Sequence, residues 1–139
     1  MAYYNKIGML ILNEDGTRFL VCEKAPENVT SDYIIPGGKL EEKNDAECLR
    51  AEIKEELNCQ IDAASLVFIG EYTDVAAGRP DRNVSIKLYV GNIIGTPTPS
   101  TEIEHLHWIN YKDQLNPRVS PIIRNKIIPD LILRGILRR

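Results

Sequence analysis

The chain has 139 residues, 43% of them hydrophobic, and its 17 lysines and arginines against 20 aspartates and glutamates leave a net charge of −3. That length fits one compact domain over residues 1–139 and hardly two, with enough apolar residues to fold without a staple. The mild acidity argues against a binder of nucleic-acid polymers, which shows a basic face, and no apolar run approaches the ~18 residues of a membrane span.

At the start, Tyr3, Tyr4, Asn5 and Lys6 interrupt any charged-then-apolar leader, so the expectation is a cytoplasmic protein. Ile7 to Leu12 is apolar, Asn13-Glu14-Asp15-Gly16 supplies turn residues, and Phe19-Leu20-Val21 resumes, which predicts a hairpin. Pro26 to Ser31 reads as a loop, and Tyr33-Ile34-Ile35 as a short buried strand stopped by Pro36-Gly37-Gly38. Asn44 to Leu57 is the clearest helix. Asn44 suits the N-cap with Glu47 three residues on, Leu49, Ile53 and Leu57 make one apolar stripe, and Asn58 can take the left-handed position that ends a helix.

Leu66 to Tyr72 and Val84 to Ile94 read as strands, with a polar loop from Asp74 to Asn83 between them. Gly95 to Ser100 holds two prolines and reads as a loop. His105 to Asn110 reads as a short strand, with His105 and His107 on one face and Trp108 turned to the core. Ser120 to Leu137 has a helical pattern, with Pro121 at an allowed first position and Pro129 placed to kink or split it. Strands plus helices over one core predict an α+β sandwich. Cys22, Cys48 and Cys59 form no C-x-x-C pair and fit small reduced thiols.

Within the central helix, Glu52, Glu55 and Glu56 stand at i, i+3 and i+4 and share a stripe about 100° wide beside the apolar face. Three carboxylates held so close repel each other, and a hard divalent cation among them turns that repulsion into attraction. A solvated charged face would show the same spacing. The Gly37-Gly38 pair just upstream adds a turn through which backbone can approach a ligand closely.

These residues resemble the Nudix hydrolase (MutT-like) family. Tyr33-Ile34-Ile35-Pro36-Gly37-Gly38 is similar to the family's aromatic-x-x-Pro-Gly-Gly lead-in. Gly37-Gly38-Lys39-Leu40-Glu41 matches the start of its box, and Glu52-Ile53-Lys54-Glu55-Glu56-Leu57 matches the end. Thr101-Glu102-Ile103-Glu104, followed by Leu106 and Trp108, resembles a later segment of the family, and Arg79-Pro80-Asp81-Arg82 resembles an arginine-bearing loop of ADP-ribose-type members.

The resemblance implies a mixed β-sheet packed between helices in an α/β/α sandwich. It also implies magnesium-dependent hydrolysis, with manganese as the alternative metal, of a nucleoside diphosphate linked to another moiety. Nucleoside triphosphates, oxidised deoxynucleotides and ADP-ribose-like compounds belong to that class. By resemblance Glu52, Glu55, Glu56 and the Gly37 carbonyl would hold metal, Glu52 and Glu102 would serve catalysis, and Arg79 and Arg82 would bind the ligand. The partner would be a small nucleotide, with self-association into a homodimer left open.

The box also departs from the pattern. Counting from Gly38, Glu52 arrives one residue early, Lys43 stands where the first box Glu belongs, Ala51 where the Arg belongs, and Asn58 where the final Gly belongs. In the family that Arg orients the box carboxylates, and Arg50 next door points about 100° away around the helix. The departures predict weakened hydrolysis, with a non-catalytic nucleotide-binding module on the same fold as the alternative.

Overall fold

A computed structural model describes residues 3–24, 33–77 and 79–139, with Tyr3, Arg79 and Pro80 described by backbone alone. The loop expected at Pro26 to Ser31 lies outside the described residues. Among the described residues nine strands and two α-helices follow in the order β1 (Tyr3–Leu10), β2 (Phe19–Lys24), β3 (Tyr33–Ile34), β4 (Gly37–Lys39), α1 (Asp45–Leu57), β5 (Gln60–Ile61), β6 (Val67–Ala76), β7 (Arg79–Val90), β8 (Ile93–Ile94), β9 (Ile103–Ile109) and α2 (Ile128–Leu133).

The strands form three sheets. The largest has the order β4-β1-β7-β6, the second β3-β2-β9, and the third pairs β5 with β8. β1 runs parallel to β7 from Tyr3↔Asn83 to Leu10↔Val90 and antiparallel to β4, so the largest sheet is mixed.

Alternation along the strands explains the layering. Ile7, Met9 and Ile11 pack with Leu20, Cys22, Leu49, Ile53 and Leu57 on the α1 side. Leu10, Phe19 and Val21 point the other way, onto Ile123, Ile127, Ile128 and Leu131 of the C-terminal helical segment. With a strand period of two, the same two strands serve two cores. The strands therefore lie between helices, as the expected α/β/α sandwich requires.

α1 forms as its sequence suggests. The Asn44 side chain accepts from the Glu47 amide at 2.8 Å, and Asn58 closes the helix with φ +55°. Leu49, Ile53 and Leu57 are fully buried.

Four expectations need correction. The first two strands begin as a hairpin, with one bridge at Leu12↔Phe19 and a Leu20 N–H to Ile11 carbonyl bond of 3.0 Å. They then splay into different sheets, because β1 pairs with β4 and β7 while β2 pairs with β3 and β9. The polar loop expected from Asp74 to Asn83 is mostly strand, since β6 and β7 pair almost to the turn. The ladder shifts register between Val75 and Ala76, and this bulge gives Pro80 a place in β7 where its missing N–H costs no rung.

Trp108 lies on β9 at the margin of its sheet and is 41% exposed, while Ile103 and Ile109 take the buried positions. Finally, the C-terminal helical segment stops at Leu133 rather than Leu137. Ahead of Pro129 it widens into a π turn over Ile123–Ile127, in which the Ile128 N–H reaches back to the Ile123 carbonyl. Pro129 follows at once, lacking the N–H that an ordinary turn would need.

Candidate active site

Several segments border one cavity of about 520 Å³, among them β1, the glycine pair that opens β4, the acidic face of α1, and Glu102 ahead of β9. Glu52, Glu55, Glu56, Glu102, Gly37 and Gly38 all border it. The structure therefore brings together the acidic and glycine residues singled out from the sequence.

The glycines permit this closeness. Gly37 has φ +153°, and a Cβ there would stand 2.1 Å from the Ile7 carbonyl oxygen. A Cβ on Gly38 would stand 2.2 Å from a carboxylate oxygen of Glu52. The Glu52 carboxylate thus lies directly against the Gly38 backbone.

Glu56 is 5% exposed, and both of its oxygens are engaged. The Gly37 N–H donates to Oε1 at 2.9 Å, and Lys24 Nζ donates to Oε2 at 3.2 Å. Burial pushes this carboxyl above its ordinary pKa, against the pull of Lys24 and Gly37. Glu52 is also raised, by burial and then by the charges of Glu56, Glu55 and Glu41. Lys6 is exposed along its length, yet its ammonium is crowded: burial there and the nearby Lys24 lower its pKa. Sequence spacing contained no signal for either lysine.

Glu102 is exposed, and its position is set by a clamp on the end of α1. The Thr98 N–H donates to the Leu57 carbonyl, the Ser100 N–H to the Glu56 carbonyl, and Asn58 Nδ2 to the Thr98 carbonyl. Asn58, in the place of a glycine, therefore both ends the helix and holds the loop that carries Glu102.

The arginines behave differently. The Arg79 side chain lies outside the described residues. Arg82 Nη1 donates to the Tyr4 hydroxyl at 2.5 Å, with its guanidinium 5.7 Å from the Tyr4 ring centre. Tyr4 borders the cavity, so Arg82 bears on it through that ring. Lys43 is exposed and lies 4.0 Å from Glu41, and Ala51 is exposed. His107 contacts Glu23 at 2.8 Å and stacks on Tyr33, a structural role.

The cavity is also lined by the apolar side chains of Ile35, Val84, Ile86 and Ile122, and by Tyr4 and Ser120. Carboxylate oxygens are the donors a hard divalent cation prefers. Among the described residues, however, no group of three or more His, Cys, Asp or Glu side chains converges closely enough to hold a metal unaided. The donors suit the cation in kind, and closing the shell would need water or substrate oxygens.

Comparison with known proteins agrees with this picture. The family model described as the NUDIX domain matches residues 3–131. A MutT protein from Methanosarcina mazei Go1 superposes with a TM-score of 0.79 at 18% identity, over 96% of both chains. A NUDIX hydrolase from Nitrosomonas europaea gives 0.66 at 17%, over 95% of this chain and 87% of that one. A bifunctional NMN adenylyltransferase/ADP ribose pyrophosphatase from Francisella tularensis, complexed with AMP and a Mn ion, gives 0.63 at 18%, over 95% of this chain and 42% of that one. No curated protein matches the chain. With a family model matched along nearly its whole length, over a fold these structures share, the chain belongs to the NUDIX family.

Proposed function

We propose that the protein is a magnesium-dependent hydrolase acting on a nucleoside diphosphate linked to another moiety. The observation that carries the reading is one cavity with two chemistries. Glu52, Glu55, Glu56 and the glycine pair border it together with Tyr4 and the apolar side chains of Ile35, Val84, Ile86 and Ile122. A metal-bound diphosphate suits the acidic residues and glycines, and a flat base suits the apolar and aromatic side chains.

When bound, the metal would screen the diphosphate charge and favour attack by water. Glu52, Glu55 and Glu56 are the side chains to hold it, and the Gly37 carbonyl is the backbone donor the family resemblance suggests. Glu52 would accept the proton of the attacking water, because burial and its acidic neighbours make it a stronger base than an ordinary carboxylate. Glu102 borders the same space and would bind the cation through water or assist the proton transfer. Lys6 adds positive charge near the diphosphate. Arg82 would bind ligand only through its hold on Tyr4.

The test is magnesium-dependent release of nucleoside monophosphate from a panel of nucleoside triphosphates, oxidised deoxynucleotides and ADP-ribose-like compounds. Release from at least one compound, lost on chelation, is the expected result. A second reading, a nucleotide-binding module without turnover, draws on one observation: Glu56 is already bonded by Gly37 and Lys24. Saturable binding of a panel member with no product over a long incubation would favour it. No described helix is long and apolar enough to cross a membrane; the place of action that goes with this proposal is the cytoplasm.

A further inference from the structure

The box departs from its family pattern at Ala51, where a cation would orient the carboxylates. On α1 itself nothing replaces it. Ala51 carries no charge, and Arg50 and Lys54 are exposed. The cation that does reach Glu56 comes from another layer. Lys24 is the last residue of β2, a strand whose alternation sends Leu20 and Cys22 to the α1 core. By the same period of two, Lys24 follows them to that face. Its Nζ lies 3.2 Å from Glu56 Oε2, with the two side chains 21% and 7% exposed.

We propose that Lys24 is the positioning residue of the site, doing from β2 the orienting work that α1 lacks at Ala51. Two donors fix the Glu56 carboxylate, Gly37 N–H on Oε1 and Lys24 on Oε2, and together they set its plane. A buried carboxylate with one neutral donor is poorly compensated. Without the lysine its Oε2 loses the donor that fixes it, the carboxylate turns toward water, and it accepts less well from Gly37. The Gly37 N–H thus reports on Lys24, although it touches only Glu56.

The experiment compares wild type, Lys24→Met and Lys24→Arg by amide hydrogen exchange at Gly37, with the Met9 amide, bonded to the Pro36 carbonyl at 2.9 Å, as a neighbouring control. In Lys24→Met, Gly37 should exchange about tenfold faster or more while Met9 stays near wild type, and Lys24→Arg should restore Gly37. If Lys24→Met does not fold, Lys24→Ala, which likewise removes both the donor and the charge, takes its place. Unchanged exchange at Gly37 in the neutral variant overturns the proposal, as does acceleration that Lys24→Arg fails to reverse.

A second arm rests on the hydrolase reading. On a panel substrate, Lys24→Met should lower kcat about tenfold or more with KM nearly unchanged, as misplacement of a reacting group by ~1 Å is costly. A rise in KM with kcat intact would make Lys24 a substrate contact and overturn its positioning role. A wild type without turnover sinks the hydrolase reading alone, and the Gly37 comparison then decides the question for Lys24.

Discussion

Gly38→Ala isolates the placement of Glu52 from the stability of the fold. A Cβ at Gly38 would stand 2.2 Å from Glu52 Oε2, 2.3 Å from Cδ and 2.7 Å from Oε1. Ordinary contact begins near 3.4 Å. The obstacle is the far end of a flexible side chain, so the carboxylate can retreat by about an ångström while the backbone stays. Gly38 does not have a positive φ, and alanine at a compatible position stabilises by ~0.4–1 kcal/mol through the unfolded state. The melting temperature should therefore stay within a few degrees of wild type. Activity should not survive as well: a ~1 Å displacement of a reacting group costs about a hundredfold.

Gly37→Ala is the control, because its Cβ meets the backbone oxygen of Ile7 at 2.1 Å and its φ is +153°. It should lose several kcal/mol, about the scale of other severe backbone strains. Steady-state kinetics on a panel substrate and thermal unfolding of both variants make the comparison. A Gly38→Ala protein with full kcat/KM would refute the view that Glu52 must sit against Gly38 to work.

Three further outcomes follow from the same geometry. Glu55→Gln with Glu56→Gln should abolish the rise in melting temperature that magnesium or manganese gives the wild type; calorimetry showing the same metal affinity in the double variant would place the site elsewhere. Asp45, near the start of α1, is held below its ordinary pKa by hydrogen bonds from Tyr89 and Lys87 that outweigh its burial. Its contribution is present above the ordinary carboxylate pKa and fades as pH falls through the depressed one. Denaturant titrations should thus show Asp45→Asn costing about 1–2 kcal/mol at neutral pH, with the gap closing in acid. Asn58→Ala removes both the left-handed helix end and the tie to Thr98, and should cost about 1 kcal/mol by urea unfolding while lowering activity through the loop that carries Glu102.

Local rules accounted for the parts of the molecule that local forces build. The caps at Asn44 and Asn58, the stripe of Leu49, Ile53 and Leu57, and the grouping of Glu52, Glu55 and Glu56 beside Gly37 all depend on residues near one another in the chain. The other features depend on partners far away in the chain. Nothing in Ile7 to Val21 says that β1 will pair with β7 instead of completing its hairpin with β2. The polar residues from Asp74 to Asn83 look like a loop because their strand character comes from the ladder and a bulge. Alternation along β9 turns Trp108 away from the histidines and toward a core, but its exposure follows from the sheet margin it occupies. Lys24 reads as an ordinary strand end until the fold brings it to Glu56.

The splay of β1 and β2 has a mechanical consequence. The cavity draws walls from both main sheets: Tyr4, Lys6 and Ile86 from the four-stranded one, Lys24 and Ile34 from the three-stranded one. It is the mouth of a wedge, and the single bridge at Leu12↔Phe19 is near its apex. A molecule filling that mouth would touch both sheets at once and tie the open end together. Occupancy would then be felt as stiffness across the whole sandwich, well beyond the atoms in contact with the ligand.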